Sequence, residues 1–181
     1  MTTPEFSRPI RIDTIGAQPR TLAIAAAPDE RAALAQRFGL VALDRLEGEV
    51  TLSRSGEEIA MQGRLRAEVV QACVASGAPV PVALEVPFDI LFRPQPAGQS
   101  DEEVELGEGD LDVVFYEREV DVGEAVAETL SLNLDPWPRA PEADAVLREA
   151  GVHQEGEEEK GPLAAALSGL KDKLGPRSAG S

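Results

Sequence analysis

Residues 80–92, VPVALEVPFDILF, place an apolar side chain at every second position: Val80, Val82, Leu84, Val86, Phe88, Ile90 and Phe92. A period of two held over that length fits a strand with one buried face. It does not fit a helix, whose apolar residues recur every three or four positions. Pro81 and Pro87 lie on the opposite parity. Proline has no N–H to give a ladder, so this strand is expected to form a sheet edge or to carry a bulge there. Immediately upstream, Ile59, Met61, Leu65, Ala67, Val69 and Cys73 share one parity, with Gln62, Arg64, Arg66 and Glu68 on the other. Before them, Leu46, Gly48, Val50 and Leu52 alternate with Glu47, Glu49, Thr51 and Ser53. Ser55-Gly56 is a tight-turn signal and Ser76-Gly77-Ala78-Pro79 a strand break, so these runs read as antiparallel hairpins with one packed and one solvated face.

Closer to the N-terminus the signals are shorter. Residues 6–13 read as a strand, with Phe6, Arg8, Ile10 and Ile12 on one face, and TLAIAA offers Leu22, Ile24 and Ala26. Pro28, the acids Asp29 and Glu30, Arg37 and Gly39 are ordered start and stop signals for a helix, and Leu34 and Phe38 at i, i+4 supply its inner face.

Toward the C-terminus, PQPAGQS (94–100) is a loop by composition, and acids then dominate residues 101–128 against Arg118 alone. Within this run LDVVFYER (111–118) carries apolar residues on both faces, the pattern of a strand placed more centrally than its neighbours. Asp121 is a helix N-cap with Glu124 three residues on, in the pattern of a capping box. Val122, Val126, Leu130 and Leu134 recur at i+4 as a buried stripe, and Pro136 ends the helix. The fold class expected is α+β: a mainly antiparallel sheet of long hairpin strands, open or partly closed into a barrel, covered by two helices. The domain spans 1–141. Residues 142–161 read as an acidic flexible linker, 162–174 as a short amphipathic helix and 175–181 as a disordered tail.

Composition limits the function. The 33 acidic residues against 17 basic give a formal charge of −16 over 181 residues, which repels phosphate backbones and favours a basic partner. Aromatic residues make up only 4%, too few for a base-stacking surface. One cysteine suits a reducing cytoplasm, and no run approaches the roughly 18 apolar residues of a membrane span. No catalytic or metal-ligating constellation and no cofactor motif is present, so catalytic residues, metal and cofactor are all expected to be none. A structural zinc site takes about four thiolate or imidazole ligands, and Cys73 and His153 are the only Cys and His. Cys73, on the inward parity of its strand, reads as a small buried hydrophobe.

Three segments together resemble the YceD family of large ribosomal RNA subunit accumulation proteins. They are VVQACVASGAPVPVALEVPFDILFRP (69–94), the acidic run leading through LDVVFYEREVDVGEAVAETLSLNLDPWPRAP (111–141), and GPLAAALSGLK (161–171). The resemblance is close over 64–141 and general in layout before it. Where many relatives have a Cys-x-x-Cys pair, this chain has Cys73 and Ser76, and Leu163 stands where phenylalanine is usual.

The resemblance implies a role in accumulating large-subunit ribosomal RNA. From charge, the expected mode is non-enzymatic: an acidic surface binds a basic ribosomal protein of the large subunit or a pre-ribosomal particle in the cytoplasm. The expected surface comprises Glu105, Asp110, Asp112, Asp121, Glu124, Glu128 and Asp135, with Trp137 and Arg139 as an anchor. Trp137 has a competing structural reading, closing the core over the helix end. The alternative function is direct action on precursor ribosomal RNA, either by binding through Arg64, Arg66 and Arg93, with Arg45 and Arg54 nearby, or by Mg²⁺-dependent processing at carboxylates.

Overall fold

Alternation over residues 46–92 becomes three long strands whose apolar rows lie on one side of a sheet. The computed structural model describes residues 4–95 and 113–152. They fall into two units, divided between Ala140 and Pro141. The first holds strands β1 (Pro9–Arg11) and β2 (Arg20–Ala25), helix α1 (Pro28–Arg37), strands β3 (Ala42–Ser55), β4 (Glu58–Ala72), β5 (Pro79–Pro94), β6 (Val113–Tyr116) and β7 (Glu119–Asp121), and helix α2 (Val122–Leu132). The second holds α3 (Ala143–Glu149).

The main sheet has the order β2-β3-β4-β5-β6 and is antiparallel except for the β5–β6 pair. It stays open, because β2 and β6 each pair with one neighbour only, so the barrel option is not taken up. β3 and β4 join through a two-residue turn in which Gly56 takes the left-handed region at φ 64°. Apart from its last residues, which β6 pairs, β5 is an edge among the described residues. That is where Pro81 and Pro87 are tolerated.

The core confirms the parity. Leu46, Val50 and Leu52 of β3 and Ile59, Met61, Leu65 and Val69 of β4 are buried, as are Val122, Val126 and Leu130 of α2. Each such side chain contributes about 1.5–3 kcal/mol by leaving water. The seat of α2 on the sheet depends on Gly48: a Cβ there would stand 3.2 Å from Val126 Cγ2 and from Ile24 Cγ1. Leu34 and Ala35 of α1 are buried in the same cluster. The N-terminal segment is tied in by Arg8, whose guanidinium makes a fork to Glu30 at 2.7 and 2.8 Å and lies over the Phe6 ring.

Three expectations need correction. The segment 111–118 does not form a central strand: β6 is the outermost strand, parallel to β5, with Tyr116 buried and Phe115 57% exposed. Its hydroxyl-bearing face is fixed by Tyr116 donating to the Glu57 carbonyl at 2.6 Å, so apolarity on both faces here reflects exposure of one of them. Residues 6–13 do not form one strand. Only Pro9–Arg11 pair, antiparallel with β7, before a single 3-10 turn at Ile12–Thr14. β5 is the edge that its prolines signalled, and the sheet's register irregularity lies instead in β3 between Leu43 and Arg45. The extra residue, Asp44, resets the alternation so that Leu43 and Leu46 both point inward. Finally, α3 forms within the stretch read as linker, while 162–174 and 175–181 lie outside the described residues.

The N-terminal segment passes so close to α2 that a Cβ on Gly123 would sit 2.1 Å from the Phe6 carbonyl oxygen. Replacement Gly123→Ala should therefore cost about 1–3 kcal/mol or more. A lowered denaturation midpoint at unchanged slope would show it, and a variant as stable as the parent would refute this packing.

Candidate functional site

The acids proposed as a binding surface divide by what they already hold. Asp121 is the N-cap of α2. Its carboxylate accepts from the main-chain N–H of Gly123 at 3.0 Å, Glu124 at 3.1 Å and Arg8 at 2.7 Å, and from the Ser7 hydroxyl. One residue thus satisfies orphan donors of the helix and fastens the N-terminal segment to it. Glu124 does not turn back toward Asp121 as the capping-box pattern suggested. It accepts from Arg37 of α1 at 2.7 and 3.0 Å, and Arg37 also holds Glu5. Only the returning half of such a box occurs, and on α1, where Glu30 accepts from the Ala27 N–H at 2.7 Å while the Ala27 methyl has no acceptor to offer in exchange.

Glu128, one turn on, makes no hydrogen bond or ion pair among the described residues. Partial burial, with the Glu124 carboxylate adding to it, raises its pKa above the usual carboxylate value, against a smaller pull from Arg37. Asp135 shapes the chain after α2: its carboxylate accepts from the Trp137 N–H at 2.9 Å, and its carbonyl accepts from the buried Gln71 side chain at 2.8 Å. The Pro138 carbonyl accepts from the Val74 N–H at 2.9 Å, so the terminator is laced to the loop after β4. Trp137 does not close the core. It is 73% exposed, while Pro138 beside it is buried. Arg139 is exposed on the same segment. Glu105, Asp110 and Asp112 lie outside the described residues.

The arginines of the alternative RNA surface are engaged by acids. Arg64 and Arg66 share Glu85 at 2.6 and 3.4 Å, and Arg93 meets Glu58 at 3.0 Å. Arg45 meets Glu47 at 2.6 Å, and Arg54 is spent on the carbonyls of Gly56 and Ile12.

Cys73 is buried, as its parity required. Main-chain N–H of Ala140 and the Ser76 hydroxyl, acting against burial, lower its pKa to about 7. Among the described residues no group of three or more His, Cys, Asp or Glu is placed to hold a metal ion, and no helix is long and apolar enough to cross a membrane.

A model of the family described as large ribosomal RNA subunit accumulation protein YceD matches residues 61–172. The chain belongs to the YceD family. The match takes in most of β4, then β5 to β7, α2 and α3, so the Asp121 cap, Glu128 and the Trp137 segment all lie within the family's region. No curated protein and no solved structure matches the chain.

Sequence reasoning missed one feature of the surface. Leu132 is 85% exposed at the end of α2. It stands off the stripe of Val122, Val126, Leu130 and Leu134, and that was the legible sign.

Two measurements separate structural from surface roles. Asp121→Ala should destabilise by about 1–2 kcal/mol through loss of the cap, whereas Trp137→Ala should stay within about 0.5 kcal/mol. Comparable losses in both would remove Trp137 from the surface. Glu128 has a raised folded pKa, so its contribution is most favourable at acid pH, where it is protonated, and is lost as pH rises through that pKa. Glu128→Gln should therefore be more stable than the parent at neutral pH, with the difference vanishing below the carboxylate range. A gain that persisted at acid pH would contradict this.

Proposed function

We propose that this YceD-family protein supports accumulation of large-subunit ribosomal RNA without catalysis, by holding a basic protein of the large subunit or pre-ribosomal particle on its acidic surface in the cytoplasm. The observation that carries the reading is charge. The chain has a formal charge of −16, and the arginines available for an RNA surface on the sheet, Arg64, Arg66 and Arg93, already face Glu85 and Glu58. A phosphate would have to displace these carboxylates, whereas a lysine- and arginine-rich protein meets an attractive field. Exposed Trp137 and Arg139, on either side of buried Pro138, add the residue types favoured at interface centres.

Co-purification from cells tests this. Basic large-subunit ribosomal proteins should be enriched in low salt, survive nuclease treatment, and be lost as salt rises from about 0.1 M to about 1 M and the screening length falls from ~10 to ~3 Å. Recovery of RNA with no basic ribosomal protein would transfer the function to the RNA-binding alternative. Specific cleavage of precursor ribosomal RNA in Mg²⁺, abolished by neutralising the acids, would make it an enzyme.

A further inference from the structure

Between α2 and the unpaired edge of β5 runs a groove of about 430 Å³. Its floor is the half-buried row of β5, including Val86 and Phe88, and its wall is the face of α2 that carries Glu128 and Leu132 at i, i+4. Val114 of β6 lines it as well, 37% exposed. A concave apolar floor with polar groups at its margin is the form binding sites commonly take. Glu128 is the titratable side chain on this face; Asp89 also borders the groove, but it stands on the outward parity of β5 and accepts from Gln62 at 2.8 Å, and no basic side chain lines the groove among the described residues. Arg37, which could have neutralised Glu128, is held by Glu5 and Glu124.

Charge decides between occupants. Residues 101–112 of the chain itself carry Asp101, Glu102, Glu103, Glu105, Glu108, Asp110 and Asp112 and no base, so they would bring like charge to Glu128. A second copy brings −16. A further strand on β5 meets Pro87, which has no N–H to offer it. A cationic segment with apolar side chains meets no such penalty. We propose that this groove receives a short lysine- or arginine-bearing amphipathic segment of a partner protein, its apolar side chains resting on Val86, Phe88 and Leu132 and a cation at Glu128. The proposal rests on the basic-partner reading and gives that partner a place on the molecule. Burial at the groove margin, which raises the Glu128 pKa, adds to the attraction, since an approaching cation relieves that carboxylate.

The test uses the full chain and its Leu132→Asp and Glu128→Lys variants, both at exposed positions. The probe is a short synthetic peptide of alternating lysine and leucine, with the glutamate–leucine peptide as control. The cationic peptide should shift the NMR resonances of Val86, Phe88 and Leu132. Either variant should weaken its binding about tenfold or more, and the control should not bind. Peptide shifts confined to another surface, or equal affinity in both variants, overturn the groove. So does a rise in affinity on deleting residues 96–112, which would make the chain's own segment the occupant, or a dimer broken by Leu132→Asp. The same variants are then carried through the co-purification. Basic ribosomal proteins recovered equally with parent and variants overturn the groove and leave the proposed function standing. Their absence even with the parent removes that function, and peptide binding then reports on the groove alone.

Discussion

The structure depends on covering one apolar sheet face with too little helix. α2 has eleven residues, about 16 Å of helix, whereas β5 has sixteen, about 53 Å of strand. Val126 of α2 can come close to β3 because Gly48 removes the side chain that would crowd it. Burial is nearly complete along the inward rows of β3 and β4 and only partial along β5, whose even-numbered side chains from Val80 to Ile90 remain half-buried. The open row and the groove beside it follow from this mismatch of length.

A second consequence is that placing α2 consumes charge. Asp121 and Glu124 look like surface acids, yet one closes the helix start over Ser7 and Arg8 and the other locks Arg37 of α1. The acids left to face a partner are those the architecture does not use, Glu128 foremost among the described residues. Hydrogen-bonded and forked pairs of this kind are the strong ones, so they are poor candidates for release to a ligand. The outer face of the sheet follows the same logic, with Arg64 and Arg66 balanced by Glu85 across the strand pair.

Family membership and charge join at this point. A protein tied by its family to large ribosomal RNA accumulation carries a surplus of negative charge, and the proposed contact with basic proteins that accompany the RNA is built on both.

By itself the sequence determined the long strands, their inward and outward parity, the two turns between them, the limits of α1 and the Asp121 cap, because each rests on period, proline and glycine geometry or side chains within a few residues. It also determined the chain's own surplus of negative charge, on which the proposed partner rests. Tertiary structure alone decided that β6 lies outermost and parallel to β5, that Asp44 is bulged, that Glu124 turns to Arg37 rather than to its own helix cap, and that Trp137 and Leu132 face outward. These depend on residues far apart in the chain competing for the same neighbours. Glu124 is the clearest case: Glu124 and Arg37 are separated by 87 positions, and no local pattern reports that a guanidinium will be waiting there.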